Sequence, residues 1–112
     1  MKNIVLGTLL LAASSPVIAG ASSFTLVNQT GAAIANVSIA RSGTTDWAPL
    51  NASPAAGARA PVNFNNPDCA FDIRANVAGS GPVTWAGVNL CDVKSVVLKR
   101  DDSAGAWVDY DQ

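Results

Sequence analysis

Two cysteines, Cys69 and Cys91, constrain the fold of this 112-residue chain more than any other feature. They are its only cysteines, so an oxidising compartment would join them in a single bridge. Closing a loop of this size stabilises a small domain by roughly 3 kcal/mol on the chain-entropy model, a large share of a marginal total. A fold that suits this sequence must therefore bring the two positions side by side.

The N-terminal segment predicts export. Lys2 gives a positive start, residues 4–13 form an apolar stretch, and small residues precede a cut. We expect residues 1–21 to be a signal peptide, cut after Ala19 or Ala21, and residues 22–112 to form a single β domain. The apolar stretch is too short to span a bilayer, and the leader has neither a cysteine near the cut nor an Arg-Arg pair. The prediction is a Sec-type signal peptide, not a lipoprotein, and a periplasmic or secreted protein with no membrane span after processing.

The charged residues argue against several classes of function. After the leader, six lysines and arginines oppose eight aspartates, which is not the basic stripe that nucleic acid requires. The chain has no histidine and no glutamate, so general acid–base catalysis would depend on aspartate alone. Zinc and copper sites would lack imidazole and free thiolate ligands. We therefore expect a protein that is not an enzyme, with no nucleic-acid partner, cofactor or metal.

Short β-rich runs separated by Gly, Pro, Asn and Asp clusters predict an all-β fold. The expected architecture is a single small antiparallel β-sandwich or flattened barrel of six to seven strands with one disulfide. Residues 41–57 show no periodicity and are expected to be an irregular loop. The predicted strands cover residues 24–29, 34–40, 61–64, 70–77, 83–90, 95–100 and 106–110.

The register of the fourth and fifth runs supports the bridge. A five-residue hairpin loop at 78–82, with glycines for the left-handed positions, places Ala75 opposite Trp85. Continuing the same pairing brings Cys69 opposite Cys91. One face of the hairpin then carries apolar side chains and both cysteines, so it is the predicted core face.

A second hairpin is predicted around residues 101–105. Its register sets Leu98 against Val108 on the inner face and Lys99 against Trp107 on the outer face. The aspartates of this loop could offer oxygen ligands to Ca²⁺. However, the loop lacks the bidentate glutamate and the ligand series of an EF-hand, and Asp, Ser and Gly are the residues that a turn prefers.

Several short motifs occur in one family layout: N-x-T-G at 28–31, Trp47, C-x-x-D-I-R at 69–74 and N-L-C at 89–91. In this layout the chain resembles a family of small exported bacterial β proteins of unknown function. The resemblance extends over nearly all of the chain after the leader. It implies export and the disulfide, and it implies no chemistry, because the family has no established activity.

A loop and a strand face supply the candidate partner-binding residues. Trp47 stands in a polar loop, where a large aromatic side chain either anchors an interface or folds back to cap one end of the sandwich. Asp72 and Arg74 share one face of a strand within reach of an ion pair. They either bind a charged ligand beside the bridge or form a solvated pair or a clamp on a neighbouring loop. The candidate set is Arg41, Asp46, Trp47, Asp72 and Arg74.

The function expected from these residues is that of an exported, non-enzymatic module that binds a protein or an envelope component. The alternative is an inhibitor of a secreted hydrolase, such as a lysozyme or a protease, with residues 41–43 entering the enzyme's cleft. A third possibility is an aspartate-based hydrolase in which Asp68 and Asp92, beside the bridge, raise the pKa of one carboxyl by mutual repulsion. No motif surrounds either aspartate, and both residues suit strand ends.

Overall fold

The chain folds into strands only, in a computed structural model that describes residues 20–111. The predicted all-β class is confirmed. The expected leader lies outside the described residues, apart from its last two. Among residues 20–111, no helix is long and apolar enough to cross a membrane. The strands are β1 (Ala21–Gln29), β2 (Ile34–Arg41), β3 (Ala48–Pro49), β4 (Arg59–Asn66), β5 (Ala70–Val77), β6 (Gly81–Asn89), β7 (Ser95–Asp101) and β8 (Gly105–Asp111).

The strands form two four-stranded sheets, ordered β4-β1-β7-β8 and β3-β2-β5-β6. The predicted sandwich is confirmed, with two differences. The pair β1 and β7 is parallel, with Thr25 opposite Ser95, whereas the other pairs of the two sheets are antiparallel. The second difference is the two-residue strand β3, which lies inside the segment expected to be irregular. Sequence periodicity did not predict this strand, because two residues are too few to show a period. It pairs with Ser38 and Ile39 of β2.

The core lies between the sheets and is built from the alternating apolar positions of the strands. Trp85, predicted as core, is 1% exposed. Its indole Nε1 donates a hydrogen bond to the Lys99 carbonyl at 2.9 Å, so burial leaves no unpaired donor. The other large side chains that are almost fully buried include Phe71, Leu26, Ile73, Leu90, Leu98 and Val96.

The register predicted for β5 and β6 is wrong by two residues. Ala75 lies opposite Val83, not opposite Trp85, because the loop has three residues instead of five. Gly79 and Gly81 both adopt left-handed backbone angles, with φ of 81° and 78°. Two such glycines two positions apart allow the tighter turn.

A β-bulge recovers one of the two residues of this difference and brings Cys69 opposite Leu90, next to Cys91, with the Leu90 N–H bonded to the Cys69 carbonyl at 2.9 Å. The register of β5 and β6 shifts between Phe71 and Ile73, opposite Gly87, whose φ is 67°. Cys69 and Cys91 are joined in a disulfide, with their Cα atoms 5.1 Å apart. The predicted bridge is therefore confirmed, although the register that suggested it was wrong.

The predicted register of the second hairpin is confirmed. Leu98 lies opposite Val108 and Lys99 opposite Trp107. The Lys99 ammonium also contacts the Asp109 carboxylate at 2.8 Å on the outer face. Local turn chemistry is therefore sufficient to set the pairing of β7 and β8.

The Asp101 carboxylate closes the turn between these two strands. It accepts hydrogen bonds from the backbone N–H groups of Ser103 at 2.7 Å and Ala104 at 3.1 Å. The same two bonds, with the Ser103 bond the stronger influence, hold the pKa of Asp101 below its usual value. Within residues 20–111, no group of three acidic, Cys or His side chains is arranged to hold a metal ion. The contacts of Asp101 are those of a turn.

The N-x-T-G motif forms a buried hydrogen-bond network at the end of β1. The Asn28 side chain is fully buried, and its Nδ2 donates to the carbonyls of Ala32 at 2.8 Å and Pro54 at 3.0 Å. Its Oδ1 accepts from the hydroxyl of Thr30 at 2.7 Å and from the N–H of the same residue at 3.1 Å. The motif therefore ties the β1–β2 turn to the segment that leads into β4.

We expect the double substitution Cys69→Ser with Cys91→Ser to lower the free energy of unfolding by about 3 kcal/mol, because the unfolded chain regains the entropy of the closed loop. Urea denaturation of the wild type and the variant measures this difference. Reduced wild type is the control and should match the variant. Equal midpoints for oxidised wild type and variant would contradict the assigned role of the bridge.

Candidate functional site

The loop between β2 and β3, residues 42–47, is held in one conformation by hydrogen bonds. The Ser42 N–H donates to the Ala70 carbonyl at 3.1 Å, which continues the pairing of β2 with β5. The Thr44 N–H donates to the Arg41 carbonyl at 3.0 Å and closes a β-turn, in which Gly43 has a φ of 84°. The loop therefore presents its side chains from a fixed backbone.

The Asp72 carboxylate clamps this loop to the bulge of β6. Its Oδ1 accepts hydrogen bonds from the Gly87 N–H and from the Ser42 hydroxyl, each at 2.9 Å. The Gly87 bond is the main reason that the pKa of Asp72 lies below its usual value; partial burial opposes the shift, and the bonds from Ser42 and Gly43 add to it. Of the two interpretations of Asp72, the geometry favours the clamp on a neighbouring loop.

Trp47 and Arg74 stack on the outer face of the sheet. The guanidinium carbon of Arg74 lies 4.0 Å from the centroid of the Trp47 ring, a cation–π contact. Within residues 20–111, Arg74 makes no ion pair with Asp72. The Arg74 guanidinium instead stacks on Trp47, and the Asp72 carboxylate accepts a hydrogen bond from the β2–β3 loop. Trp47 is half-buried on this face and does not cap an end of the sandwich.

A cleft opens between the sheets where β3 and β4 are the neighbouring edge strands. Its volume is about 200 Å³. Phe64 stands at its wall and packs edge-to-face on Phe24 and Phe71, with ring centroids 6.1 and 5.2 Å apart. The cleft therefore has an aromatic wall that continues the core outwards. Its lining comprises Ile39, Ala40, Arg41, Asp46, Ala48, Phe64, Asn66 and Phe71.

Two opposite charges, Arg41 and Asp46, belong to this lining. Arg41 contacts the Asp68 carboxylate at 3.3 Å, but both side chains are about half exposed, so the pair is weak. The Asp46 carboxylate makes no hydrogen bond or ion pair within residues 20–111. Both groups are exposed beside an apolar cavity and accessible to a ligand.

The structure thus divides the five predicted binding residues into two neighbouring groups. Arg41 and Asp46 line the cleft, whereas Trp47, Asp72 and Arg74 lie on the outer face and fix the β2–β3 loop. Sequence reasoning missed the aromatic wall, Phe64 and Phe71. Nothing in their local pattern separates them from other apolar strand residues, because the cleft depends on which strands become edges.

The two aspartates beside the bridge lie in the segments between strands. Asp68 is engaged with Arg41, and Asp92 is exposed with a left-handed φ of 61° after the end of β6. Asp68 lies in the connection between β4 and β5, and Asp92 lies in the connection between β6 and β7.

The chain matches no protein-family model and no curated protein. In structure it is similar to a protein from Eubacterium rectale solved by NMR, with a TM-score of 0.59 and 14% sequence identity. The similarity covers 89% of this chain and 95% of that one. At this identity the likeness shows the fold alone.

We expect Asp72→Asn to lower the free energy of unfolding near pH 7 by about 1 kcal/mol, since the charged acceptor of two hydrogen bonds is lost. Because the pKa of Asp72 is lower in the folded state, its carboxylate stabilises the fold fully at pH values above the unfolded pKa of roughly 3.9. This contribution to the free energy of unfolding is lost as the pH falls through the folded pKa. The difference from wild type should therefore vanish in strong acid. Urea titrations across this pH range measure it.

The matched control is Asp46→Asn, because the Asp46 carboxylate has no partner in the described part of the chain. Its free energy of unfolding at pH 7 should match that of the wild type, since no hydrogen bond or ion pair of the Asp46 carboxylate is lost. An Asp72→Asn variant as stable as the wild type at pH 7 would contradict the clamp.

Proposed function

We propose that this chain is an exported, non-enzymatic module that binds a protein or an envelope component at the cleft between the β2–β3 loop and β4. The observation that carries the proposal is the open, aromatic-walled cavity with Arg41 and Asp46 in its lining. Concave apolar sites with a few polar groups are the usual form of a binding site.

The size of the cleft limits what can enter it. About 200 Å³ lies below the roughly 300–1,000 Å³ of sites for drug-sized ligands, so it suits one apolar side chain or one small ring. An aromatic group would extend the edge-to-face series of Phe64 and Phe71. The group that enters the cleft is therefore an aromatic or branched aliphatic side chain or ring, carried on the surface of a larger partner.

The fixed backbone of the β2–β3 loop supports the same proposal. The Asp72 clamp and the Arg74–Trp47 stack hold the loop before a partner arrives. Binding by a preorganised loop avoids much of the entropy that a mobile loop would lose. Trp47 keeps part of its surface exposed beside the cleft, where it can contact what surrounds the inserted group.

The start of β1 supports a cut after Ala19 over a cut after Ala21. Ala21 is 2% exposed, pairs with Asn66, and donates its N–H to the Asp68 carbonyl at 3.1 Å. A cut after Ala21 would remove those contacts, whereas a cut after Ala19 leaves β1 whole. The disulfide is compatible with the oxidising periplasm or cell exterior that such processing implies.

A specific observation also favours the alternative, an inhibitor of a secreted lysozyme or protease. The β-turn at residues 41–44 is exposed and rigid, with Ser42 bonded to the Asp72 clamp. Rigid exposed turns suit insertion into an enzyme cleft. Assays against lysozymes and serine proteases decide this alternative, and no inhibition at micromolar concentration would reject it.

We expect Trp47→Ala to abolish crosslinking to the partner in the envelope fraction of exporting cells while leaving the fold intact. Ala48→Phe should do the same by filling the cleft that Ala48 lines. The measurement is recovery of one defined crosslinked species with each variant, next to its thermal unfolding.

Arg74→Ala is the matched control, since it removes the stack but keeps the Trp47 ring. It should weaken capture less than Trp47→Ala if the ring itself contacts the partner. Unchanged capture by both Trp47→Ala and Ala48→Phe would reject this cleft as the binding site.

A further inference from the structure

The four sheet edges differ in how well they are protected against an added strand. The edge strands β3, β4 and β6 each contain a proline, which has no N–H to offer to a new neighbour: Pro49, Pro61 and Pro82. Proline is a common protection of exposed edges. The fourth edge strand, β8, contains none.

The hydrogen bonds of β7 determine which backbone groups of β8 point outwards. The Thr25 N–H donates to the Lys94 carbonyl at 2.8 Å, and Thr25 is paired with Ser95 in the parallel ladder. Alternation along β7 then directs the backbone groups of Val97 and Lys99 towards β8. Their partners, Asp109 and Trp107, point back to β7.

The residues between them, Ala106, Val108 and Tyr110, therefore direct their N–H and C=O groups away from the sheet. Within residues 20–111, none of these groups makes a backbone hydrogen bond outside the ladders. Together they offer three donors and three acceptors along one edge.

The same strand carries the large apolar side chains that remain exposed in the described part of the chain. Trp107 is 41% exposed and Tyr110 is 40% exposed. Tyr110 has a partner within the chain, because its hydroxyl accepts a hydrogen bond from the Asn89 N–H at 2.9 Å. Trp107 lies beside Lys99 on the outer face, with much of its surface uncovered.

We propose that β8 pairs with β8 of a second copy of this chain, antiparallel and centred on Val108. In this register Val108 lies opposite its own counterpart and Ala106 opposite Tyr110 of the second copy. All six outward groups of each strand then meet a complementary group, since the three residues are symmetric about Val108. The two sheets join into one continuous eight-stranded sheet.

The charges on the outer face suit the same register. Trp107 lies opposite Asp109 of the second copy, and each Asp109 is already beside the Lys99 of its own chain at 2.8 Å. Two cations and two anions thus surround two indole rings, and none of these four charges lies directly opposite a like charge. Like charges directly opposed across strands would be destabilising. The surface is therefore complementary to itself in charge as well as in hydrogen bonding.

The test is sedimentation equilibrium of the protein purified from cells that express the whole chain and export it. One strand from each copy makes a small interface, so the dimer should depend on concentration. We expect the weight-average mass to rise up to twofold between low and high micromolar protein. A monomer mass throughout would overturn the proposal.

Two substitutions of Trp107 test the register. Trp107→Asp faces Lys99 within its own chain but Asp109 of the second copy, so it should abolish the rise in mass. Trp107→Lys loses the same ring yet faces Asp109 of the second copy, so it should dimerise more strongly than Trp107→Asp at equal concentration. Equal masses for these two variants would overturn the register.

Val108→Pro is an independent variant, because it removes an outward N–H and leaves the ladder with β7 intact. It should remain monomeric while unfolding cooperatively, and a dimer as strong as that of the wild type would overturn the pairing. The cleft is not involved, so loss of partner capture and loss of dimerisation are separate results.

Discussion

The buried carboxamide of Asn28 is the constraint on which one end of the sandwich depends. Its four hydrogen bonds hold the β1–β2 turn and the carbonyl of Pro54, a residue that lies 26 positions away. The backbone of Asn28 also exchanges hydrogen bonds with the segment before β4, since its N–H donates to Ala58 and its carbonyl accepts from Gly57. A buried amide satisfied at both ends specifies one arrangement, because any other would leave a polar group unpaired in the core. It therefore fixes where the chain leaves one sheet and enters the other.

The two sides of the sandwich are closed to different degrees. At the β6–β8 side, the Tyr110 hydroxyl binds the Asn89 N–H, and the Trp85 indole binds the Lys99 carbonyl across the sheets. At the other side, β3 is only two residues long and cannot cover the core opposite β4. The cleft lies at this second side, so its existence follows from the shortness of β3 and not from any residue that is special in itself.

Local features of the sequence predicted local structure well. The register of β7 and β8 is correct because the Asp101 turn sets it within a few residues. The predicted register of β5 and β6 was wrong because the glycines allow both a three-residue and a five-residue loop. The sequence alone does not show that Gly79 and Gly81 adopt the left-handed angles of the shorter loop. The aromatic wall of the cleft could not be predicted, since Phe64 becomes an edge residue only when β1 accepts β4 and β7 as neighbours. Local sequence features therefore predicted the disulfide and the turn between β7 and β8. The cleft could not be predicted in this way, because its position depends on the order of the strands in the two sheets.

The parallel pairing of β1 with β7 has a consequence for how the chain can fold. The first strand of the domain lies between β4 and β7, so its ladder is incomplete until residues from 95 onwards are available. The hairpin of β5 and β6, by contrast, joins neighbouring segments and carries the disulfide. Contacts distant in sequence close slowly, while nearby strands pair early. The hairpin is thus suited to be the early nucleus, and the sheet that contains β1 can be completed only when the last strands have been made.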